Sequence, residues 1–348
     1  MGNKSAIEWT DATWNPVTGC SKVSAGCTNC YAERLSHRFG WTTKPWNATY
    51  AAENVRLHPD RLEEPLKWKK PRRVFVNSMS DLFHEQVPLE FIAEVFNVMA
   101  CATAACGKNH KHDEECWTGE PHTFQILTKR PERMMRVINE ELPDYVGHYW
   151  PGDRPLCLAL ELNWPLPNVW LGVSAENQEA ADERIPFLLK TQAAVRFVSC
   201  EPLLGPVNLR DIDLGTNGHG LRFQLDSLTG WSRGSDEQTG RHRVSRNDEF
   251  GRIDWVIVGG ESGPNARPMH PEWARSLRDQ CQAAGVAFLF KQWGEWAPVH
   301  ELRCNEPGIC GRQWYNFDPD TAVCRIGKRA AGRLLDGRTW DEYPERSV

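Results

Sequence analysis

The sequence predicts an α/β fold: a complete or partial (β/α) barrel of the TIM type, with loop insertions and a C-terminal appendage. Short apolar runs recur along the chain, and most are followed by a polar turn and a helix-like segment. Apolar strands that alternate with amphipathic helices are typical of a parallel sheet covered on both faces. The number of such strands favours a barrel over the alternative, a doubly wound open sheet.

Six apolar runs predict the strands of this sheet, and a seventh strand is expected near Cys20. The six runs are, in chain order, Val74–Ser78, Phe124–Thr128, Val169–Ser174, Val195–Cys200, Asp254–Gly259 and Val286–Lys291. The segments that follow the first five strands, and are expected to cover the sheet, include residues 89–102, 129–142, 175–189, 201–209 and 271–285.

Two segments interrupt this alternation and are predicted to be insertions. Residues 101–122 separate a helix from the second strand, and residues 215–251 are polar, rich in Gly, Ser and Arg, and without periodicity. The second insertion is therefore predicted to be a long loop or a partly disordered excursion. We expect a barrel domain over residues 1–299 and an appendage over residues 300–348, which closes with a helix over residues 325–344.

Composition excludes several classes of protein. The chain has 348 residues, with 41 Lys and Arg against 46 Asp and Glu, which gives a net charge of −5. This composition is that of an ordinary globular protein, and no apolar run approaches the ~18 residues of a membrane span. The N-terminal residues lack the apolar core of a signal peptide. We therefore expect a cytoplasmic protein with no membrane partner, in which the 12 cysteines are metal ligands or buried thiols rather than disulfides.

Three cysteines near the start are the strongest chemical signal. Cys20, Cys27 and Cys30 form a C-x6-C-x2-C pattern on a Gly-containing loop that runs into a helix. A structural zinc site normally has four ligands, which His37 could complete here. A [4Fe–4S] cluster held by three cysteines instead keeps one iron open for a substrate or cofactor. A disulfide would pair only two of the three.

The cysteine loop, followed by successive β/α units, resembles the radical S-adenosylmethionine (SAM) superfamily, although the most familiar spacing there is C-x3-C-x2-C. The chain also resembles a phage- and prophage-associated family of uncharacterised proteins with an N-terminal three-cysteine motif. That resemblance is carried by the strings WNPVTGCSKVSAGCTNCYAE, VFVNSMSDLFHE, FQILTKRPERM, VIVGGESG, FKQWGEW and AAGRLLDG. It implies a [4Fe–4S] cluster, SAM as cofactor and a 5′-deoxyadenosyl radical. The distant analogue spore photoproduct lyase suggests a nucleic acid or nucleotide as substrate, in a phage-related modification or repair role.

The same resemblance implies roles for residues at the strand ends, where parallel α/β folds place their sites. The residues expected to bind SAM are Ser78, Ser80, Asp81, Lys129, Ser174, Glu176, Gly259 and Gly260. Glu201, Glu261 and Lys291 are expected to face the substrate as catalytic groups. Each assignment has a structural alternative: Ser and Asp cap helices, glycines make tight turns, and a lysine near carboxylates forms an ion pair.

Two other segments have ligand-like composition. Cys106, His110, His112 and Cys116 could hold a structural zinc ion, or could lie on a solvated charged loop. The segment of residues 66–73, LKWKKPRR, interleaves Trp68 with basic residues. This composition is typical of a surface that contacts phosphates and stacks bases. The alternative is a solvated edge on which the Trp68 ring packs against the protein.

Three functions from different classes remain open. The first is a radical SAM enzyme, with an electron donor or other partner protein. The second is a noncatalytic, zinc-stabilised protein that binds nucleic acid or recruits a partner. The third is a barrel hydrolase that uses strand-end carboxylates such as Asp81, Glu176, Glu201 and Glu261.

Overall fold

The protein has a mixed α/β fold built on a seven-stranded sheet in the order β1-β4-β5-β6-β7-β12-β13. The computed structural model describes residues 5, 7–102, 120–148, 160, 163–216, 221–236, 242–246, 249–299, 302, 309 and 311–345. The strands are β1 (Ala12–Trp14), β2 (Val17–Thr18), β3 (Arg56–Leu57), β4 (Arg73–Val76), β5 (Thr123–Thr128), β6 (Val169–Ser174), β7 (Val195–Cys200), β8 (Ile212–Thr216), β9 (Leu221–Asp226), β10 (Trp231–Asp236), β11 (His242–Arg246), β12 (Trp255–Gly259), β13 (Ala287–Gln292), β14 (Trp296–Pro298), β15 (Trp314–Asn316) and β16 (Ala322–Arg325).

Residues 201–209, expected to cover the sheet as a helix-like segment, contain no helix. The helices of the described residues lie mostly where the sequence predicted them. They are α1 (Tyr31–Arg38), α2 (Ala51–Asn54), α3 (Leu89–Cys101), α4 (Pro131–Arg136), α5 (Leu142–His148), α6 (Gln178–Lys190), α7 (Pro271–Ala284) and α8 (Lys328–Ala331). Local chemistry sets the ends of α7, because Pro271 occupies its first turn and Gly285 ends it with a φ of +67°. No helix of the described residues is long and apolar enough to cross a membrane.

The chain divides into two compact units. The first comprises Met1–Val173 and Thr191–Arg196, and the second comprises Ser174–Lys190 and Phe197–Arg346. In the first unit, β1, β4, β5 and β6 pair in parallel, and in the second β7, β12 and β13 do so. Every residue of β6 and of β12 is buried, as expected for a parallel sheet with two covered faces.

The prediction of a long loop or partly disordered excursion over residues 215–251 is wrong. In its place β8, β9, β10 and β11 form a four-stranded antiparallel sheet. One face of this sheet is buried through Ile212, Leu225 and Ser232, while the other is exposed. A sheet with one solvated face has few apolar residues, so its sequence resembles a polar loop.

The prediction of a helix over residues 325–344 is also wrong, except for one turn within it. Only Lys328–Ala331 is helical, and Gly332 ends that turn with a φ of +67°. The chain then runs beside β13, where Phe290 N donates to Trp340 O at 3.0 Å and Glu342 N donates to Phe288 O at 3.2 Å. The edge of the parallel sheet therefore captures a segment whose composition suits a helix.

Candidate cysteine site

The cysteines lie in the first unit, at the carboxyl ends of three adjacent parallel strands. The cysteine loop follows β1, the turn of residues 77–81 follows β4, and Lys129 and Arg130 follow β5. Because parallel strands end at the same edge of a sheet, three segments far apart in sequence meet here. The sequence analysis expected polar groups at strand ends, and these three segments lie at strand ends.

Backbone contacts fix the start of the cysteine loop. Gly19 N donates to Met79 O at 3.0 Å, Gly19 forms a parallel bridge with Ser80, and the Ser80 hydroxyl donates to Val17 O at 2.9 Å. Gly19 has a φ of +84°, and a Cβ at this position would lie 1.9 Å from Asn54 O. Only glycine fits this close approach, and it directs Cys20 into the site.

Arg130 is the central residue of the site, although sequence reasoning favoured its neighbour Lys129. Its Nε donates to both carboxylate oxygens of Glu85, at 3.1 and 3.0 Å, and its Nη1 donates to Asp81 Oδ2 at 3.2 Å. Nη1 also donates to Cys20 Sγ at 3.6 Å, and Nη2 donates to the backbone oxygen and the hydroxyl of Ser21, at 3.2 and 2.9 Å. The buried guanidinium thus joins the cysteine loop to β4 and β5.

Asp81, expected to bind SAM, has protein donors around its buried carboxylate. Thr128 Oγ1 donates to both oxygens at 2.7 and 2.9 Å, and the backbone nitrogens of Phe83 and Lys129 donate at 3.0 and 3.1 Å. Together with Arg130, these donors use the carboxylate as a structural acceptor. Asp81 therefore helps to hold Arg130 in position.

The two serines beside Asp81 also have protein partners. The Ser78 hydroxyl donates to Asn15 Oδ1 at 3.1 Å, and its backbone oxygen accepts from the Tyr31 hydroxyl. The Ser80 hydroxyl donates to Val17 O at 2.9 Å. Both hydroxyls hold the turn against the cysteine loop, and their oxygens keep acceptor capacity.

The thiols of Cys20, Cys27 and Cys30 are free, and two of them receive hydrogen bonds. Burial raises the pKa of Cys20 to about 12, the Asp81 carboxylate adds to this, and Arg130 opposes it. Burial also raises the pKa of Cys30, while hydrogen bonds from the first backbone nitrogens of α1 lower it. N–H groups directed at sulfur stabilise a thiolate, the form that binds metal.

The three sulfurs do not converge on one point. Among the residues described, no group of three or more His, Cys, Asp or Glu side chains is arranged to hold one metal ion. His37, the suggested fourth zinc ligand, contacts Lys44 O through Nε2 at 3.0 Å. A tetrahedral zinc ion with bonds of about 2.3 Å requires sulfurs in close contact, whereas an iron–sulfur cluster binds each cysteine at a different iron.

Behind the cysteine loop, His84 is buried and uncharged. Gln86 N donates to its Nδ1 at 3.1 Å, which leaves Nε2 to donate to the Ser21 hydroxyl at 2.9 Å. Burial, reinforced by the charge of Arg130, lowers the pKa of His84 to about 4. The imidazole is thus a fixed support for Ser21.

This histidine makes stability depend on pH. In the unfolded chain His84 becomes charged below its ordinary pKa of 6.5, whereas in the folded protein it stays neutral until about pH 4. Its contribution is therefore present above pH 6.5 and is lost as the pH falls through this interval. We expect His84→Gln to lose less stability than wild type between pH 7 and pH 5, by about 2 kcal/mol, in urea titrations at each pH. Parallel curves for the two proteins would contradict this.

In the second unit, the strand-end carboxylates have cationic partners. Glu201 Oε1 lies 3.1 Å from Lys291 Nζ, and both side chains remain partly exposed. Glu261 accepts from Arg267 through both carboxylate oxygens, at 2.9 Å from Nε and 2.6 Å from Nη2. Lys291 thus forms an ion pair, the structural alternative to a catalytic role. Glu261 orients the loop that carries Arg267.

Ser174 and Glu176, also expected to bind SAM, are deeply buried. Glu176 Oε2 accepts from Arg184 Nη1 at 2.9 Å, and each of these side chains is 2% exposed. Arg184 Nη1 also donates to Ser174 O at 2.9 Å. These contacts anchor α6 to the end of β6.

Gly259 and Gly260 allow protein atoms, rather than a ligand, to approach. A Cβ on Gly260 would lie 2.0 Å from Trp293 O, and one on Gly259 would lie 2.6 Å from Glu201 Oε1. The glycine pair therefore packs the end of β12 against the loop after β13.

The basic run before β4 lies away from the cysteines. Trp68 stacks under Arg72 at 5.2 Å and meets His122 edge-on at 5.6 Å, while Arg73 pairs with Asp11 at 3.1 Å. The run precedes β4, so it lies at the amino end of a strand whose carboxyl end carries the cysteine site. The expected zinc ligands Cys106, His110, His112 and Cys116 lie outside the described residues.

Comparison with known proteins gives a family without an activity. A family model described as "Protein of unknown function (DUF5131)" matches residues 4–344. No curated protein and no solved structure matches the chain.

Proposed function

The chain belongs to the DUF5131 family, and we propose that it is a radical SAM enzyme with a [4Fe–4S] cluster on Cys20, Cys27 and Cys30. One observation carries this proposal: three free thiols on one loop, with N–H donors directed at two of the sulfurs. A cluster with three cysteine ligands keeps one iron open, and when bound it supplies the electron that cleaves SAM.

The residues around the cysteines have distinct roles in this proposal. Arg130 holds the backbone and hydroxyl of Ser21 and donates to Cys20 Sγ, so it both positions the loop and offsets negative charge on the sulfur. A hydrogen bond to a ligating thiolate also tunes the reduction potential of a cluster. Asp81 and His84 keep Arg130 and Ser21 in place from behind.

For SAM binding we retain Ser78, Ser80 and Lys129, which lie beside the cysteines. The serine oxygens keep acceptor capacity for an amino group, and Lys129 is close enough to Cys30 for its charge to lower the pKa of that thiol. We also retain Lys291 and Glu201 as candidate substrate-facing groups, since both side chains are partly exposed although they form an ion pair.

Two more specific parts of the proposal, the partial barrel and the class of substrate, rest on fewer observations. The parallel sheet and its covering helices support a partial (β/α) barrel, since no closing pair between β1 and β13 occurs among the described strands. A nucleic acid or nucleotide as substrate, in a phage-related role, rests on the resemblance in sequence.

Metal analysis after anaerobic reconstitution tests the function. We expect the full chain to bind about four irons with matching sulfide and to show a broad visible absorption band. Cys27→Ala should lose both, because one of three ligands is missing. Cys281→Ala removes a buried free thiol from α7, distant in sequence from the cysteine loop, and should bind iron like wild type.

Three results would overturn the proposal. They are zinc at one per chain without iron, iron that Cys27→Ala retains, and a loaded wild type that never cleaves SAM after reduction. Zinc without iron would favour the noncatalytic zinc protein.

A further inference from the structure

The four-stranded antiparallel sheet of the second unit has one face that no described part of the chain covers. Residues directly opposite each other on neighbouring strands share a face. Trp231 lies opposite Arg246 and Asp226, and Arg233 lies opposite Val244 and Gln224. The other face carries the buried residues Ile212, Leu225 and Ser232. Trp231 and Arg233 therefore point away from the packed side.

This outer face exposes large apolar groups. Trp231 is 49% exposed and Val244 is 61% exposed, which is unusual for side chains of this size. Arg233 is two residues from Trp231 on the same strand, and Arg246 is directly across from it. An accessible indole thus has one guanidinium along the strand and a second one beside it.

The charges on this face are unbalanced in favour of the arginines. Asp213 pairs with Arg222 at 2.8 Å, and Asp226 pairs with Arg210 at 3.0 Å. For Arg233 and Arg246, by contrast, the part of the chain that is described provides no ion pair. The face is therefore locally cationic on a chain whose net charge is −5.

We propose that the outer face of the sheet β8–β11, centred on Trp231, Arg233 and Arg246, binds single-stranded nucleic acid. An exposed ring on a sheet stacks an unpaired base, and arginines beside it contact the adjacent phosphates. A base within a duplex presents no free ring face, so a flat sheet of this kind selects single strands. The inference deepens the proposed function and rests on it only for the class of substrate, a nucleic acid. Binding at this sheet requires no cofactor at the cysteines.

Fluorescence anisotropy with a labelled 20-nucleotide oligothymidine tests the proposal on the full chain. We expect binding that weakens steeply with salt and that an unlabelled hairpin duplex displaces poorly. Trp231→Ala should weaken binding about tenfold, because one stacked base is lost. The double variant Arg233→Ala/Arg246→Ala should weaken binding and reduce the dependence of log K on log salt by about 1 or more.

Two matched variants are controls. Trp314→Ala removes a tryptophan of similar exposure, 44%, from β15, and Arg243→Ala removes an exposed arginine from the opposite face of β11. Both should bind within about twofold of wild type, since neither residue lies on the outer face. Circular dichroism confirms that each variant is folded.

The outcomes separate this inference from the proposed function. Absence of oligothymidine binding, equal affinity for the duplex, or equal loss in Trp231→Ala and Trp314→Ala would overturn it. Cys27→Ala should bind the oligonucleotide like wild type, so a failure of the cluster leaves this result unchanged. A loaded enzyme that binds no oligonucleotide would overturn only the sheet proposal.

Discussion

Arg130→Ala is expected to lower the free energy of unfolding by about 3 to 5 kcal/mol, because it leaves a buried carboxylate without its cation. Asp81 would lose its ion pair at 3.2 Å, and Ser21 would lose two hydrogen bonds. Glu85 is exposed and would be solvated, so the loss arises mainly from Asp81. Chemical denaturation followed by circular dichroism measures the effect.

Arg136→Ala is the matched control for this prediction. Arg136 is the last residue of α4, the helix that begins directly after Arg130, and it pairs with Glu141 at 2.6 Å while 52% exposed. An exposed ion pair contributes about 0 to 1 kcal/mol, so this variant should remain near wild type. Arg130→Lys should recover only part of the loss, because an ammonium lacks the planar fork with which the guanidinium reaches Glu85, Asp81, Cys20 and Ser21. Equal stability of Arg130→Ala and Arg136→Ala would contradict the central role of Arg130.

Gly19→Ala is expected to destabilise the first unit by about 3 kcal/mol or more, and to displace the cysteine loop. Two costs add here. An alanine at a φ of +84° is strained, and its Cβ would lie 1.9 Å from Asn54 O and 2.5 Å from Asn54 C. Backbone atoms cannot yield as a flexible side chain can, so the loop or α2 must move. Thermal unfolding measures the stability, and the iron content after reconstitution measures the displacement.

Gly40→Ala separates the two costs. Gly40 has a φ of +67°, but nothing lies within 4 Å of the position of its Cβ. This variant should lose about 1 kcal/mol through backbone strain alone and should reconstitute normally. If Gly19→Ala were no worse than Gly40→Ala, the close approach to Asn54 would have no energetic role.

The parallel strands could be predicted because each is a buried apolar run with polar residues at its ends. Val169–Ser174 and Val195–Cys200 are strands over the predicted residues, and the other four predicted runs differ from their strands by one or two positions. The strand expected near Cys20 is instead β1, at Ala12–Trp14. The antiparallel sheet could not be found in this way. Its buried face contributes only scattered residues such as Ile212 and Leu225, and the intervening polar residues hide the alternation.

The cysteines of the candidate site could be found from the sequence, but the residues that support them could not. Three cysteines within eleven residues signal shared chemistry through spacing alone. Lys129 and Arg130 are adjacent in the string TKRP after a strand, and the sequence alone does not show which of the two faces the site. The importance of Arg130 depends on Asp81, Glu85 and Ser21, which lie 45 to 109 positions away.

The sequence by itself determined the α/β class, the strands of the parallel sheet and the cysteine loop at a strand end, because periodicity and spacing are local properties. Only the tertiary structure decided that Arg130 rather than Lys129 joins the loop to β4, and that the strands β8–β11 form a sheet with an exposed tryptophan. Those features depend on which distant groups become neighbours after folding. A buried charge is stable only beside its partner, and a polar strand is stable only beside another strand.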